Sequence, residues 1–439
     1  MTGVKPPPIP PRKQAIAAEG FHPVRSRGMW LGRWELLVVV LTCLLFAFSF
    51  KLSSPVHGLY STKDFPTEVF DQDSRYIITA LVDGEPFPYN PQHHLLYHAL
   101  TEWGYNVLRP HFRHSLETVY LFLKGFTVLT GIAFTIVLSR LLWEMDLRSY
   151  HRILLLLLSG ISVTAWFNFS AFETHSLAMA AIALYLLVFL RLTRLGQFRL
   201  QEEILLGVSL VFMALCRFDL ARFFVATALL IPFPPYRAHW RRLGLVLVAA
   251  LLAGGLLHSS LASVYFKRPL SEAPKTLVQR EDRQSLEPVL GTVRNLTAEN
   301  LSRMTLATTV STLIMPIGER KFVGPLDGIR KHPGAMLTIA LWGVIFLVAG
   351  WATWKNRKNS GPLAVCILMN WGVGLLLYTW FNPHEPFLWL LEFLPLLVAF
   401  LGNGLKKIGN TVWVLMSVGI LFLLIHNLLF FYLPYRVYG

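Results

Sequence analysis

The feature that most constrains this chain is a series of apolar runs, several near 20 residues, separated by short clusters of Lys and Arg. A run of that length matches the ~30 Å hydrocarbon core of a bilayer. Inside that core every backbone N–H and C=O must find a partner within the protein, which leaves helices or a closed barrel. The period-two alternation of barrel strands is absent, so the fold class is all-α, a polytopic helical membrane protein. Only 15% of residues are charged against 54% hydrophobic, which excludes an ordinary soluble domain.

The formal charge of +15 raises nucleic acid as a partner. The basic residues, however, sit in short clusters between apolar spans, where they set topology and meet the headgroups of membrane lipids, so no nucleic acid is expected. Residues 1–28, Pro-rich at first (PPPIPPRK) and then polar and basic, cannot build a core and read as a disordered cytoplasmic tail. Residues 29–439 form one transmembrane domain. Arg25, Arg27 and Arg33 precede the first span, Trp34 to Phe50, and keep the N-terminus cytoplasmic.

Further spans follow at 118–142, 153–169, 174–189, 204–215, 222–231 and 243–257, then at 335–351, 362–380, about 389–401 and 411–432. That makes about eleven, N-in and C-out, with the short fifth and sixth as the weakest members. Every inner loop then carries Lys or Arg. The first outer loop is 51–117 and the long outer loop 259–334. Cys43, Cys216 and Cys366 lie in or beside apolar segments without CxxC or Cys/His spacing, which argues against disulfides and structural zinc.

Under this topology the chemically capable side chains gather on the non-cytoplasmic side. The first outer loop supplies Asp71, Asp73, His93 and His94; later turns supply Glu173 and His175, then Arg217 and Asp219, then His384 and Glu385. Any one of them alone reads as a solvated loop residue. Their recurrence on one face favours a site. Asp71 and Asp73 share a face only if the chain is extended there, where the pair can hold a divalent cation such as Mg or Mn. A single carboxylate acting as general base is at least as good a reading. His94 and His98 are spaced i, i+4, but no HExxH accompanies them, so interfacial hydrogen bonding is preferred over zinc. Asp83, Glu85 and His98 read as solvated.

The run DSRYIITAL (73–81) followed by NPQHHLLYHAL (90–100) resembles the first outer loop of membrane-embedded C-type (GT-C) glycosyltransferases. WFNFSAFETHSLAMAAIALYLLVFLRL (166–192), LVFMALCRFDLARF (210–223) and the late segment FNPHEPFLWLLEFLPLL are similar to later parts of the same enzymes, in particular the protein O-mannosyltransferase-like branch. The resemblance implies hexosyl or mannosyl transfer from a polyprenyl-phosphate-linked donor, carried by dolichol or undecaprenol, to a lipid, glycan or protein acceptor. It assigns the base to Asp73, with Asp71 as rival because Gln72 separates the two acids. His93, His94, Glu173, His175 and Glu385 would line the acceptor cleft. Arg217, Arg320, Lys321 and His384 would be the cations for the donor phosphate.

Two other readings compete: a multi-pass transporter or lipid flippase, and a non-catalytic membrane subunit that keeps the fold. Transporters place ionisable groups near the midplane and carry repeats or broken helices, whereas the spans here read as clean. The expected location is a bacterial inner membrane or an endoplasmic reticulum, with the site on the outer or lumenal side.

Overall fold

The computed structural model describes residues 32–52, 81, 94–112, 115–170, 175–194, 199–232, 236–266, 295–314, 332–381 and 390–429. The Pro-rich tail lies outside them, as do Asp83 and Glu85. The helices are α1 (Arg33–Leu52), α2 (Leu95–Leu108), α3 (Leu116–Glu144), α4 (Ser149–Ile161), α5 (Val163–Ser170), α6 (Ser176–Arg194) and α7 (Leu200–Cys216). Then come α8 (Arg222–Leu230), α9 (Trp240–Phe266), α10 (Ala298–Leu306), α11 (Pro333–Lys355), α12 (Arg357–Phe381), α13 (Phe393–Leu405) and α14 (Asn410–Asn427). A helix occurs at each of the predicted spans, and no strand is found among the described residues. The chain is a multi-pass helical membrane protein.

Among the described residues, six segments are long and apolar enough to cross a membrane unaided, on α3, α6, α9, α11, α12 and α14. Of these α6 is the most enclosed and α9 the least. The lipid-facing side of α9 shows Leu245, Leu252, Leu256 and Val264, which in water would be a liability and in hydrocarbon is the expected surface. Helix α8, with nine residues, reaches only about 14 Å at 1.5 Å per residue. It cannot cross a ~30 Å core alone.

Side-chain contacts tie the helix termini into two ends. At one end Arg191 near the end of α6 meets Glu144 at the end of α3 at 3.1 Å, and Arg242 of α9 meets Glu203 of α7 at 2.7 Å. Arg152 of α4 pairs with the buried Glu35 of α1, whose other oxygen accepts from Gly32 N at 2.6 Å. Tyr150 donates to Asn410 at the start of α14 at 2.6 Å. The turn between α3 and α4 is closed by Asp146 at φ 59°, a left-handed position that a short polar side chain tolerates. This is the basic end.

Threonines on α3 show how polar groups survive in apolar surroundings: Thr127 and Thr135 donate back to Leu123 O and Gly131 O at 3.0 and 2.8 Å. Close helix approach uses small residues. A Cβ on Gly404 of α13 would sit 2.5 Å from Ala349 O of α11, so only glycine fits there.

The third span departs from expectation. It is not one clean helix but α4 and α5, broken at Ser162. Ser162 adopts an extended conformation, and its hydroxyl caps α5 by accepting from Ala165 N at 3.2 Å. The freed carbonyl of Ile161 accepts from Asn427 Nδ2 at 2.8 Å, while Val163 N donates to Leu313 O at 3.2 Å. Asn427 Nδ2 also donates to Leu313 O at 2.9 Å. Leu313 follows a short π-helix, Ala307–Ser311. One fully buried amide from the last helix therefore closes the break and holds the π segment beside it. Replacing it with leucine takes the donor from the buried Ile161 carbonyl, at about 1–3 kcal/mol, while Leu313 O keeps Val163 N. Asn427→Leu is expected to lower the thermal midpoint of the purified protein in neutral detergent by several degrees, and an unchanged midpoint would show that the break is held some other way.

Candidate functional site

The end opposite the basic one holds a buried ionic cluster assembled from three places in the chain. The tip between α7 and α8 turns through a single 3-10 segment, Phe218–Ala221, which puts Arg217 just before it and Arg222 just after it. Tyr378 lies in the last turn of α12. Glu392 ends the 3-10 turn Leu390–Glu392 that starts α13. All four side chains are withdrawn from solvent, Glu392 completely.

Glu392 is the hub. Its Oε1 is 3.0 Å from Arg217 Nη1, and its Oε2 meets Arg222 Nη2 and accepts from the Tyr378 hydroxyl. Arg222 in turn donates to the Tyr378 oxygen, and its guanidinium lies over the Tyr378 ring at 4.8 Å and the Phe223 ring at 5.1 Å. Gly374 makes room for that guanidinium, since a Cβ there would come within 3.1 Å of it. Phe393 stands 5.7 Å from Trp371, whose indole donates to Thr308 Oγ1 of the π-helix at 3.2 Å. The Glu392 turn also packs against α5, α6 and the π segment, so the cluster is braced by the broken span.

A second group of polar side chains occupies the same end. His94 and His175 approach with ring centroids 4.9 Å apart. His94 opens α2 and His175 leads into α6, so contact between them joins the first outer loop to the turn before α6. Lys124, on α3 two turns from its start, is buried with its Nζ 5.7 Å from the Tyr120 ring. An ionisable residue enclosed at membrane depth is a functional candidate by default.

Of the residues expected from sequence, His94, His175 and Arg217 are described. Asp71, Asp73, His93, Glu173, Arg320, Lys321, His384 and Glu385 lie outside the described residues. The Arg217 guanidinium is bound to Glu392 on a distant helix rather than snorkelling to the headgroups. Among the described residues no group of three or more His, Cys, Asp or Glu is arranged to hold a metal ion, and Cys43, Cys216 and Cys366 are free thiols. Lys124, Arg222, Tyr378 and Glu392 were not expected. A signal existed for two of them: Lys124 is the sole charge between residues 119 and 139, and Glu392 the sole charge between 386 and 405.

His98 also corrects the sequence reading, which had it solvated. It is buried on the inner face of α2, with the Tyr97 ring edge-on at 5.7 Å and Tyr265 of α9 at 6.1 Å. Burial pushes its pKa from the ordinary 6.5 down to about 3. The imidazole is therefore neutral in the fold, and the unfolded chain binds the extra proton between those values. Stability rises with pH through that window and is lost as pH falls from about 6.5 toward 3.

No protein-family model matches the chain, and no curated protein matches it. Among solved structures it is similar to the crystal structure of ArnT from Cupriavidus metallidurans bound to undecaprenyl phosphate, with 14% identity and a TM-score of 0.49. The match covers 88% of this chain and 62% of that one, so the chain spans less than two thirds of that protein's length.

Two outcomes follow for the site. Glu392→Gln leaves two buried guanidinium groups facing a neutral amide and is expected to destabilise by about 3–5 kcal/mol, read as loss of folded protein or a large fall in thermal midpoint. Glu392→Leu combined with Arg217→Leu and Arg222→Met should recover much of that loss, because the charges leave together. For His98, His98→Leu is expected to flatten the acid side of the stability curve between pH 6.5 and 4, measured by thermal unfolding across that range.

Proposed function

We propose that the chain is a membrane glycosyltransferase of the C type, moving a sugar from a polyprenyl-phosphate-linked donor to an acceptor on the non-cytoplasmic side. The observation that carries this reading is the enclosure of Lys124, Arg217 and Arg222 at the end of the bundle opposite the basic belts. Cations held away from water at membrane depth suit an anionic group that arrives from the lipid, which is how a polyprenyl phosphate presents itself. Arginine adds a planar fork that matches phosphate oxygens. Glu392 and Tyr378 fix the direction of that fork before any ligand arrives.

The chemistry is then a single displacement. The acceptor hydroxyl attacks the anomeric carbon, the bond from that carbon to the phosphate oxygen breaks, and the polyprenyl phosphate leaves with the electron pair. Asp73 takes the hydroxyl proton, with Asp71 as its alternative. The cations offset the charge that builds on the leaving phosphate, an electrostatic contribution that a dry site makes larger. His94 and His175, in contact with each other, belong to the acceptor side, to which the sequence resemblance also assigns His93, Glu173 and Glu385. Arg320, Lys321 and His384 remain candidates for further phosphate contacts. A divalent cation, Mg or Mn, at Asp71 and Asp73 is an additional option for the same carboxylates.

The break at Ser162 gives a transporter reading one supporting observation, since broken helices are common in transport proteins. Its exposed backbone groups are, however, bound by Leu313 and Asn427 and so are not offered to a substrate. The two readings separate in one experiment. With a polyprenyl-phosphate sugar and membranes containing the native acceptor, the wild-type protein is expected to release polyprenyl phosphate. Asp73→Asn is expected to abolish that release while inserting and unfolding like wild type. Full activity in Asp73→Asn would move the base to Asp71, and no release by wild type together with lipid or solute movement would favour transport.

A further inference from the structure

The basic end carries a corner that the transfer reaction does not use. Helices α11 and α12 are joined through the single residue Asn356, whose side chain donates back to Ala352 O at 3.0 Å and stiffens the turn. On either side of it stand two cations, each held over an indole. Lys355 Nζ lies 4.9 Å from the Trp351 ring, and the Arg357 guanidinium 4.9 Å from the Trp354 ring. Both tryptophans and both cations are exposed. A cation resting on an aromatic face loses rotamer freedom before a ligand binds, so less is lost on binding.

Charge at this corner runs one way. From residue 333 to the C-terminus the only acidic residues are Glu385 and Glu392. Glu392 belongs to the far end, and Glu385 falls in the segment leading to it, so α11, α12, α13 and α14 bring no carboxylate to Lys355 or Arg357. The neighbouring corner adds to the positive field. Gly404, near the end of α13, packs on Ala349 and Thr353 of α11, which sets the exposed Lys407 at the same level. Trp351 and Trp354 are three residues apart on a helix long and apolar enough to cross the membrane, and they mark its last turns. Tryptophan at a helix end with a cation beside it is the arrangement found at the boundary between hydrocarbon and headgroup.

We propose that the α11–α12 corner is a binding site for an anionic phospholipid. The headgroup phosphodiester is held between Lys355 and Arg357, with Lys407 contributing to the field. The indoles of Trp351 and Trp354 bury against the glycerol and the upper acyl chain. Zwitterionic lipids share the phosphate but carry their own cation, which the basic corner repels. The site is independent of sugar transfer and stands or falls without it.

The test uses the full-length protein purified in neutral detergent and titrated with phosphatidylglycerol, phosphatidylcholine or inorganic phosphate, with bound lipid counted by native mass spectrometry. Phosphatidylglycerol is expected to bind wild type in preference to phosphatidylcholine. Lys355→Gln with Arg357→Gln is expected to weaken it about thirty-fold, roughly fivefold per charge. Trp351→Leu with Trp354→Leu should weaken it while leaving net charge unchanged. Arg148→Gln with Arg199→Gln removes two exposed charges elsewhere at the same end and should leave the affinity near wild type. Thermal midpoints without added lipid check that all variants are folded. Equal loss in the Arg148/Arg199 variant would overturn the proposal, reducing it to the general field of a basic surface. Competition by millimolar inorganic phosphate would also overturn it, in favour of a free-anion site.

Discussion

A carboxylate without water around it must be charged by its neighbours, and Glu392 meets that condition with two guanidinium groups and a phenol. Taken singly, each of the four groups would be costly to enclose, by several kcal/mol for each ion. Their mutual contact is what allows the tip between α7 and α8 to lie inside the bundle instead of at its rim. It also explains why α8 can be so short. The helix does not have to span, because its first turn is anchored by Arg222 at one end of the bundle while its chain neighbours carry the connection to the other. The turn before α13 and the end of α12 are brought to the same point by the same contact.

The broken third span is a backbone version of that problem. Breaking a helix in apolar surroundings exposes amides and carbonyls that lipid cannot satisfy. Asn427 and Leu313 supply the missing partners, so α14 closes the break while α5 and the π segment pack against the Glu392 turn. The π-helix then has a role in geometry. It carries Thr308, which accepts from the Trp371 indole, and that hydrogen bond ties the wall to α12. Disturbance at the last helix therefore reaches the ionic cluster through bonded neighbours.

How much of this was legible depends on range. Spans were readable because a lipid-facing or buried helix is written as a continuous apolar run, and each run became a helix. The break at Ser162 was not readable, because SGISVTAW holds no proline or charge to mark it and its partners, Leu313 and Asn427, are far away in the chain. The grouping of His94 with His175 and the interest of Arg217 followed from topology alone, since alternating spans deliver alternate loops to one side. Glu392, Arg222 and Tyr378 escaped because they were read as parts of spans, where attention went to hydropathy instead of to the isolated charge within it. His98 escaped for the opposite reason: polarity in a loop suggested solvent, while the amphipathic α2 turned that side chain toward Tyr265.

Two kinds of positive charge now divide the molecule. At the basic end most arginines and lysines are exposed, several laid over tryptophan, with Arg152 on the buried Glu35 as the exception, and the chemistry of the exposed ones is that of a headgroup layer. At the other end Arg217 and Arg222 are enclosed and held by Glu392, so their direction is fixed and their solvation has already been given up. Cations of the first kind respond to salt and to lipid composition, since they share their field with the membrane surface. Cations of the second kind are shielded from both and respond only to a group that enters the bundle. On the proposed reading, a lipid-linked phosphate meets the second condition by entering the bundle from the lipid side. On that reading, burial, more than charge, distinguishes a lipid-borne anion from a soluble one at that end.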